Sequence, residues 1–137
     1  MAVVEELLRS ETDGTISFGN HKLEKKAKVE DYQHAGDLLK VKTCKEITKL
    51  EKNGMFLYES VPGTSVLHFG EKEDGVEFIV EGDEDAQITI GLTDDRAYEV
   101  FVDGTSIGAI KTGFGGKLSL SVEIGAADEV PVRVVQI

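Results

Sequence analysis

The chain has 137 residues, which suits one ordinary domain or two very small ones. It carries 26 acidic and 15 basic side chains, for a formal net charge of -11, and this excess argues against nucleic-acid binding because phosphates would be repelled. The 40% of hydrophobic residues can build a core, so a disordered or fibrous protein is excluded. The single cysteine, Cys44, excludes an internal disulfide and a cysteine-based metal centre.

Nothing in the sequence predicts a membrane segment or a secretion signal. No apolar run approaches the length that spans a bilayer. Glu5 and Glu6 stand where a signal peptide needs its apolar core, so we expect a cytoplasmic protein. A leader removed ahead of Met1 would leave the same sequence, and that alternative stays open.

In chain order, most segments alternate apolar and polar residues with a period of two, as half-buried strands do. Two segments are ambiguous: residues 3–10 suit a short amphipathic helix or a strand, and residues 45–52 suit one turn of helix or a strand. The remaining segments are predicted to be strands, at residues 27–33, 38–44, 66–69, 76–81, 87–92, 98–102, 106–111, 118–124 and 130–135.

Turn dipeptides separate these strands. They are Asn53-Gly54, Asp74-Gly75, Asp103-Gly104 and Gly115-Gly116, which supply the positive φ angles of tight hairpins. Ten to thirteen short strands with little helix predict an all-β protein, an antiparallel β-sandwich or jelly roll. Parallel α/β folds are excluded because no long helices separate the strands. We expect one domain over residues 1–137, with a possible subdomain boundary near residues 82–86.

Charge is distributed unevenly along the chain. Residues 1–70 carry a net charge of -1 and residues 71–137 a net charge of -10. Within these halves, residues 22–52 hold nine lysines against six acids, whereas residues 71–85 hold eight acids and Lys72 alone. The two regions are either solvated faces or complementary patches that dock one protomer on another, and the second alternative predicts a homo-oligomer.

No catalytic constellation is visible, so we predict a protein that is not an enzyme. His21, His34 and His68 have no tight metal-ligand spacing, and Cys44 is read as a small residue on a strand face. The G-x-S-x-G motif of many serine hydrolases is missing. Carboxylate pairs that could hydrolyse a glycoside are easy to find in any acidic β protein, so they single out no residue.

Two sets of residues are candidate binding groups. Aspartates in the turns around the strand at residues 87–92 offer the oxygen ligands that calcium prefers, although a solvated acidic rim explains them equally well. They are Asp83, Asp85, Asp94, Asp95 and Asp103. With no tryptophan in the chain, an aromatic platform for a sugar would have to use tyrosines, which are Tyr32, Tyr58 and Tyr98.

Residues 55–64 read Met-Phe-Leu-Tyr-Glu-Ser-Val-Pro-Gly-Thr, and with residues 86–90, 102–104 and 115–121 they resemble a group of short bacterial proteins that are often labelled endosialidase. The shared segments are packing and turn motifs, so the resemblance implies a fold and no catalytic residue. Residues 98–108 are similar to a hairpin of accessory β-sandwiches attached to carbohydrate-active enzymes, and that similarity also implies fold.

We therefore expect a non-enzymatic structural or protein-interaction module that self-associates through sheet edges or one sheet face. The alternative is a carbohydrate-binding accessory module with a glycan partner, with or without the assistance of calcium. A third alternative is a glycoside hydrolase related to the endosialidase group, using acidic residues.

Overall fold

The computed structural model describes residues 3–125 and 129–137. Thirteen strands account for the regular structure of these residues. They are β1 (Leu8–Ser10), β2 (Ile16–Phe18), β3 (Ala27–His34), β4 (Asp37–Thr43), β5 (Thr48–Lys52), β6 (Met55–Val61), β7 (Ser65–Lys72), β8 (Gly75–Glu81), β9 (Ala86–Gly91), β10 (Ala97–Val102), β11 (Thr105–Lys111), β12 (Lys117–Val122) and β13 (Val130–Gln136).

The strands form two antiparallel sheets that together make a β-sandwich. Sheet A has seven strands in the order β1-β2-β7-β8-β13-β10-β11, and sheet B has six in the order β12-β9-β6-β5-β4-β3. The predicted all-β class is confirmed. Helix is absent from the described ranges, so they hold none long and apolar enough to cross a membrane.

Both ambiguous segments contain strands. Within residues 3–10, β1 covers the last three and pairs with β2. Within residues 45–52, β5 covers the last five and pairs with β4 on one side and β6 on the other. Thr48 and Leu50 are fully buried while the residues between and after them are half-buried, which is the two-residue period of a strand and not the period of a helix.

Two of the predicted hairpin turns have the geometry that their sequences demand. Asn53 and Gly54 have φ angles of 52° and 80°, and Asp103 and Gly104 have the same two values. Two consecutive positive φ angles define a type I′ turn, whose twist matches that of the flanking strands. These turns set the register of the β5–β6 and β10–β11 hairpins.

Each sheet contains strands from both sides of residues 82–86. In sheet A, β13 pairs with β8, and in sheet B, β9 pairs with β6. The strands after residue 85 thus extend one end of each sheet and are hydrogen-bonded there to strands that come before residue 82.

An aromatic cluster fills the space between the sheets. Phe18, Phe69 and Phe78 come from sheet A, and Tyr58 comes from sheet B. The Tyr58 ring meets the other three edge to face, with centroid distances of 5.2, 6.1 and 5.7 Å to Phe18, Phe69 and Phe78. Such pairs add to the free energy of burying the rings, so the cluster is a main apolar link between the two sheets.

We predict that Phe18→Ala lowers the free energy of unfolding by about 3–5 kcal/mol, because it opens a cavity inside the aromatic cluster. Met55→Ala is the matched control, since the Met55 side chain is 73% exposed and its removal should change stability by less than about 0.5 kcal/mol. Urea unfolding followed by tyrosine fluorescence measures both. Equal losses in the two variants would contradict this account of the core.

Candidate functional site

Two grooves on the surface bring chemically capable side chains together. We call the first the His21 groove; it has a volume of about 600 Å³, and its wall includes His21, Lys45, Pro62 and Asp83. We call the second the Arg133 groove; it has a volume of about 500 Å³ and lies on the outer face of sheet A. Both volumes are within the range of small-molecule sites.

His21 is a buried histidine with one unsatisfied nitrogen. Its side chain is only 1% exposed, and its Nδ1 shares a hydrogen bond of 2.7 Å with the Ser65 hydroxyl. The other nitrogen, Nε2, has no hydrogen-bond partner among the described residues. The nearest charge to it is the Asp83 carboxylate, whose Oδ1 lies 3.8 Å away and accepts a hydrogen bond of 2.6 Å from Lys22 Nζ.

Burial lowers the pKa of His21 below its ordinary value of 6.5, and the Asp83 carboxylate opposes that shift. The imidazole is therefore neutral at neutral pH. Its Nε2 is a donor when Ser65 donates to Nδ1, and an acceptor when Nδ1 donates to Ser65. The hydrogen bond from Lys22 lowers the pKa of Asp83 and keeps that carboxylate charged.

Ser65, His21 and Asp83, which are neighbours in space, are the residue types of a hydrolytic triad, but their order relative to the groove is reversed. In a working triad the serine oxygen faces the substrate and the histidine lies behind it. Here Ser65 is fully buried, and the histidine lies between the serine and the groove. Ser65 therefore cannot reach a substrate as a nucleophile, and of this arrangement only the half-exposed Asp83 carboxylate is open to the groove.

A row of buried hydroxyls lies next to this site. Thr43, Thr48 and Ser60 are cross-strand neighbours on β4, β5 and β6, and all three are fully buried. The Thr48 hydroxyl donates to the Thr64 carbonyl at 2.7 Å and accepts from the Thr64 amide at 3.1 Å. We call these three residues with Thr64 the hydroxyl row; it fastens the connection between β6 and β7, and Ser65 begins β7.

The Arg133 groove is built on three neighbouring strands. Phe101 on β10, Arg133 on β13 and Glu77 on β8 are directly opposite one another in register, so their side chains share the outer face. The guanidinium carbon of Arg133 lies 4.5 Å from the centroid of the Phe101 ring, in a cation–π contact. Ile79 and Pro131 add apolar wall to the same groove.

The five predicted calcium ligands lie in three separate turns. Asp83 and Asp85 precede β9, whereas Asp94 and Asp95 follow it, and six extended residues hold these pairs about 20 Å apart. Asp103 lies in the β10–β11 turn. Three of these aspartates have protein partners: Asp83 pairs with Lys22, Asp85 accepts a hydrogen bond from the Ile124 amide, and Asp95 pairs with Lys111. No group of three or more metal-ligating side chains is found within residues 3–125 and 129–137.

The three tyrosines do not form an exposed platform. Tyr58 and Tyr98 are buried in the core, and burial raises the pKa of Tyr58 well above its ordinary value. Tyr32 is half-buried, and its hydroxyl accepts a hydrogen bond of 2.9 Å from the Ser10 amide. Two of the three are therefore packing residues, because they stand on the inward side of an alternating strand.

Apart from Asp83, which was predicted as a calcium ligand, the residues that line the two grooves were not predicted as binding groups. For Phe101 and Arg133 a signal was present: both fall between inward-facing residues in strands that were predicted, so an aromatic ring and an arginine had to lie on the outer face. For His21 no signal was present, because it lies in the irregular connection between β2 and β3.

We predict that His21 makes the fold less stable in mild acid. Between pH 6.5 and the lowered pKa, the unfolded chain binds a proton at residue 21 that the folded chain does not. The free energy of unfolding then falls by up to about 1.4 kcal/mol per pH unit as the pH decreases. Urea unfolding at pH 7.5 and 5.5 should show a smaller pH dependence for His21→Gln than for the wild type. The same pH dependence in His21→Gln and wild type would contradict the assignment.

We predict that Thr48→Val lowers the free energy of unfolding by about 2–3 kcal/mol, because it leaves the buried amide and carbonyl of Thr64 without their partner. Thr89→Val is the matched control: it also removes a strand hydroxyl, one that meets Ser119 at the surface at 3.1 Å. Its effect should stay within about 0.5 kcal/mol. Thermal unfolding of the two variants compares them, and similar midpoints would argue against a structural role for the hydroxyl row.

Comparison of the chain with models of known families, with curated proteins and with solved structures found no match. The resemblances noted in the sequence therefore stay predictions.

Proposed function

We propose that this chain is a non-enzymatic protein-interaction module that self-associates through the free edge of β11. The observation that carries the proposal is the exposure of this strand: six of its seven residues are exposed and the seventh, Ile110, is half-buried. Along the described residues, β11 is bonded to β10 on one side only. Its other side presents backbone donors and acceptors to any strand that approaches.

Of the other three sheet edges in the described residues, β1 and β3 carry features that discourage pairing. β1 has only three residues. β3 carries Lys28, Glu30 and Asp31 and is irregular beside β4. β12 starts at Lys117 and alternates buried with exposed residues. In β11 the residues from 105 to 110 are uncharged, so this edge, like that of β12, has little electrostatic protection against a second copy, and β11 is the one of the two whose side chains are almost all exposed.

Exposed apolar side chains lie on and just after this strand. Ile107 is 50% exposed and Phe114, in the following loop, is 105% exposed. Ile107 interrupts the regular pairing with β10 as a β-bulge, so residues 108–111 form the regular part of the edge. A two-fold related copy could pair that part with itself in antiparallel fashion, with the apolar side chains covering the ends of the contact.

The buried position of Ser65 supports the non-enzymatic part of the proposal. Its hydroxyl is bonded to the buried His21 ring, and a substrate has no access to it.

We predict that Ile107→Lys reduces self-association at least tenfold in Kd, because a charge on the exposed edge opposes pairing. Met55→Lys is the matched control, since Met55 is 73% exposed at the start of β6 and the substitution adds the same charge away from β11. Sedimentation equilibrium over a range of concentrations measures both variants and the wild type. A wild-type chain that stays monomeric at high concentration would refute the proposal, as would equal losses in the two variants.

A second candidate function is a carbohydrate-binding accessory module, and the specific observation in its favour is the Arg133 groove. It places a half-buried aromatic ring, Phe101, beside polar groups on the face of a sheet. The sugar titration described in the next section tests it.

A further inference from the structure

We propose that the Arg133 groove binds a sugar that carries a carboxylate, and that Arg133 is the residue that recognises the carboxylate. The inference rests on the second candidate function and is independent of self-association.

The guanidinium group of Arg133 is held in place but not engaged. Its cation–π contact with Phe101, 4.5 Å from the ring centroid, holds the group over a ring that lines the groove. Among the described residues it has no hydrogen bond and no salt bridge; the acid opposite it, Glu77, lies 3.9 Å from the Lys72 ammonium instead. A planar guanidinium with free donors is pre-organised to bind a carboxylate through two parallel hydrogen bonds.

The walls around Arg133 suit the rest of a sugar ring. Ile79 is half-buried and Pro131 is exposed, and together they offer apolar surface for the C–H face of a ring. Glu77 and His68 also line the groove and are exposed. A carboxylate and an imidazole at the rim can bond to sugar hydroxyls, which both donate and accept. The groove thus combines one anion receptor with apolar and hydroxyl-binding surface.

Charge favours a sugar over an acidic peptide. The protein has a net charge of -11, and Glu77 adds a negative charge within the groove, so a ligand with closely spaced acids would be repelled. A hydroxyl-rich ring with a single carboxylate brings only the charge that Arg133 neutralises. The hydroxyls of such a ring can donate hydrogen bonds to the Glu77 carboxylate, so that Glu77 contributes to binding.

The first experiment titrates the full chain with trigalacturonate and with a glucuronate-containing tetrasaccharide, each as the free acid and as the methyl ester. Binding is followed by backbone amide NMR shifts. We expect at least one acid to shift the amides of residues around the groove, and its ester to bind at least about tenfold more weakly because the charge-assisted hydrogen bonds are lost. The ester has nearly the same shape, so the comparison isolates the charge.

The second experiment compares variants with the acid that binds best. Arg133→Lys keeps the charge but loses the planar pair of donors, so we expect Kd to rise about tenfold, and Arg133→Gln should weaken binding further. Arg96→Lys is the matched control, because Arg96 is exposed in the loop before β10 and does not line the groove. Thermal unfolding of each variant confirms that the exposed substitutions leave the fold intact.

The outcomes separate the two proposals. If acid and ester bind equally well, or if Arg133→Gln binds the acid as the wild type does, the role of the carboxylate is refuted while sugar binding stands. If neither acid nor ester binds, both the inference and the second candidate function are refuted. Equal weakening by Arg96→Lys and Arg133→Lys would also overturn the assignment of Arg133.

Discussion

The hydrogen bonds between Thr48 and the backbone of Thr64 are the interaction on which the arrangement of one end of the sandwich depends. At this point the chain leaves sheet B at the end of β6 and enters sheet A at the start of β7. A single buried hydroxyl satisfies both the amide and the carbonyl of Thr64. The next residue, Ser65, holds the His21 ring, so the geometry of the His21 groove follows from a bond made on the inner face of sheet B.

The aromatic cluster and the hydroxyl row both connect the two sheets, and they stabilise the sandwich in different ways. The aromatic cluster around Tyr58 buries a large area but is not directional, so it stabilises the contact without specifying one alignment. The hydroxyl row is directional, and each partner left unmade in the interior is costly, so it permits one alignment only. Tyr58 belongs to both, because its ring packs in the cluster while its hydroxyl meets Thr64 Oγ1 at 2.8 Å. The apolar and polar parts of the core are thus continuous through one side chain.

Much of the fold can be predicted from the alternation of apolar and polar residues and from the turn dipeptides. The candidate sites depend on which strands pair and in which register. A period of two and the Asn53-Gly54 turn predict strands and hairpins because these are local properties. The pairing of β13 with β8 and β10 is not local, and it is this pairing that brings Arg133 over Phe101. The same reasoning explains the tyrosines. The alternation of side chains along a strand predicts only that Tyr98 and Phe101 lie on opposite faces of β10. The order of the strands in the sheets determines which face is buried.

The proposed edge and the proposed groove occupy different parts of sheet A and do not compete. Arg133 lies on β13, separated from the free edge by β10 and β11. Two copies joined by antiparallel pairing of β11 would be related by an axis perpendicular to the sheet, so both Arg133 grooves would open on the same side. At about 4.8 Å per strand, five strand spacings place the two β13 strands about 24 Å apart. A polymer with spaced carboxylates could then contact both grooves at once, and the second contact would form at a high effective concentration. On this reasoning, self-association strengthens binding to a polymer and leaves binding to a single short sugar unchanged.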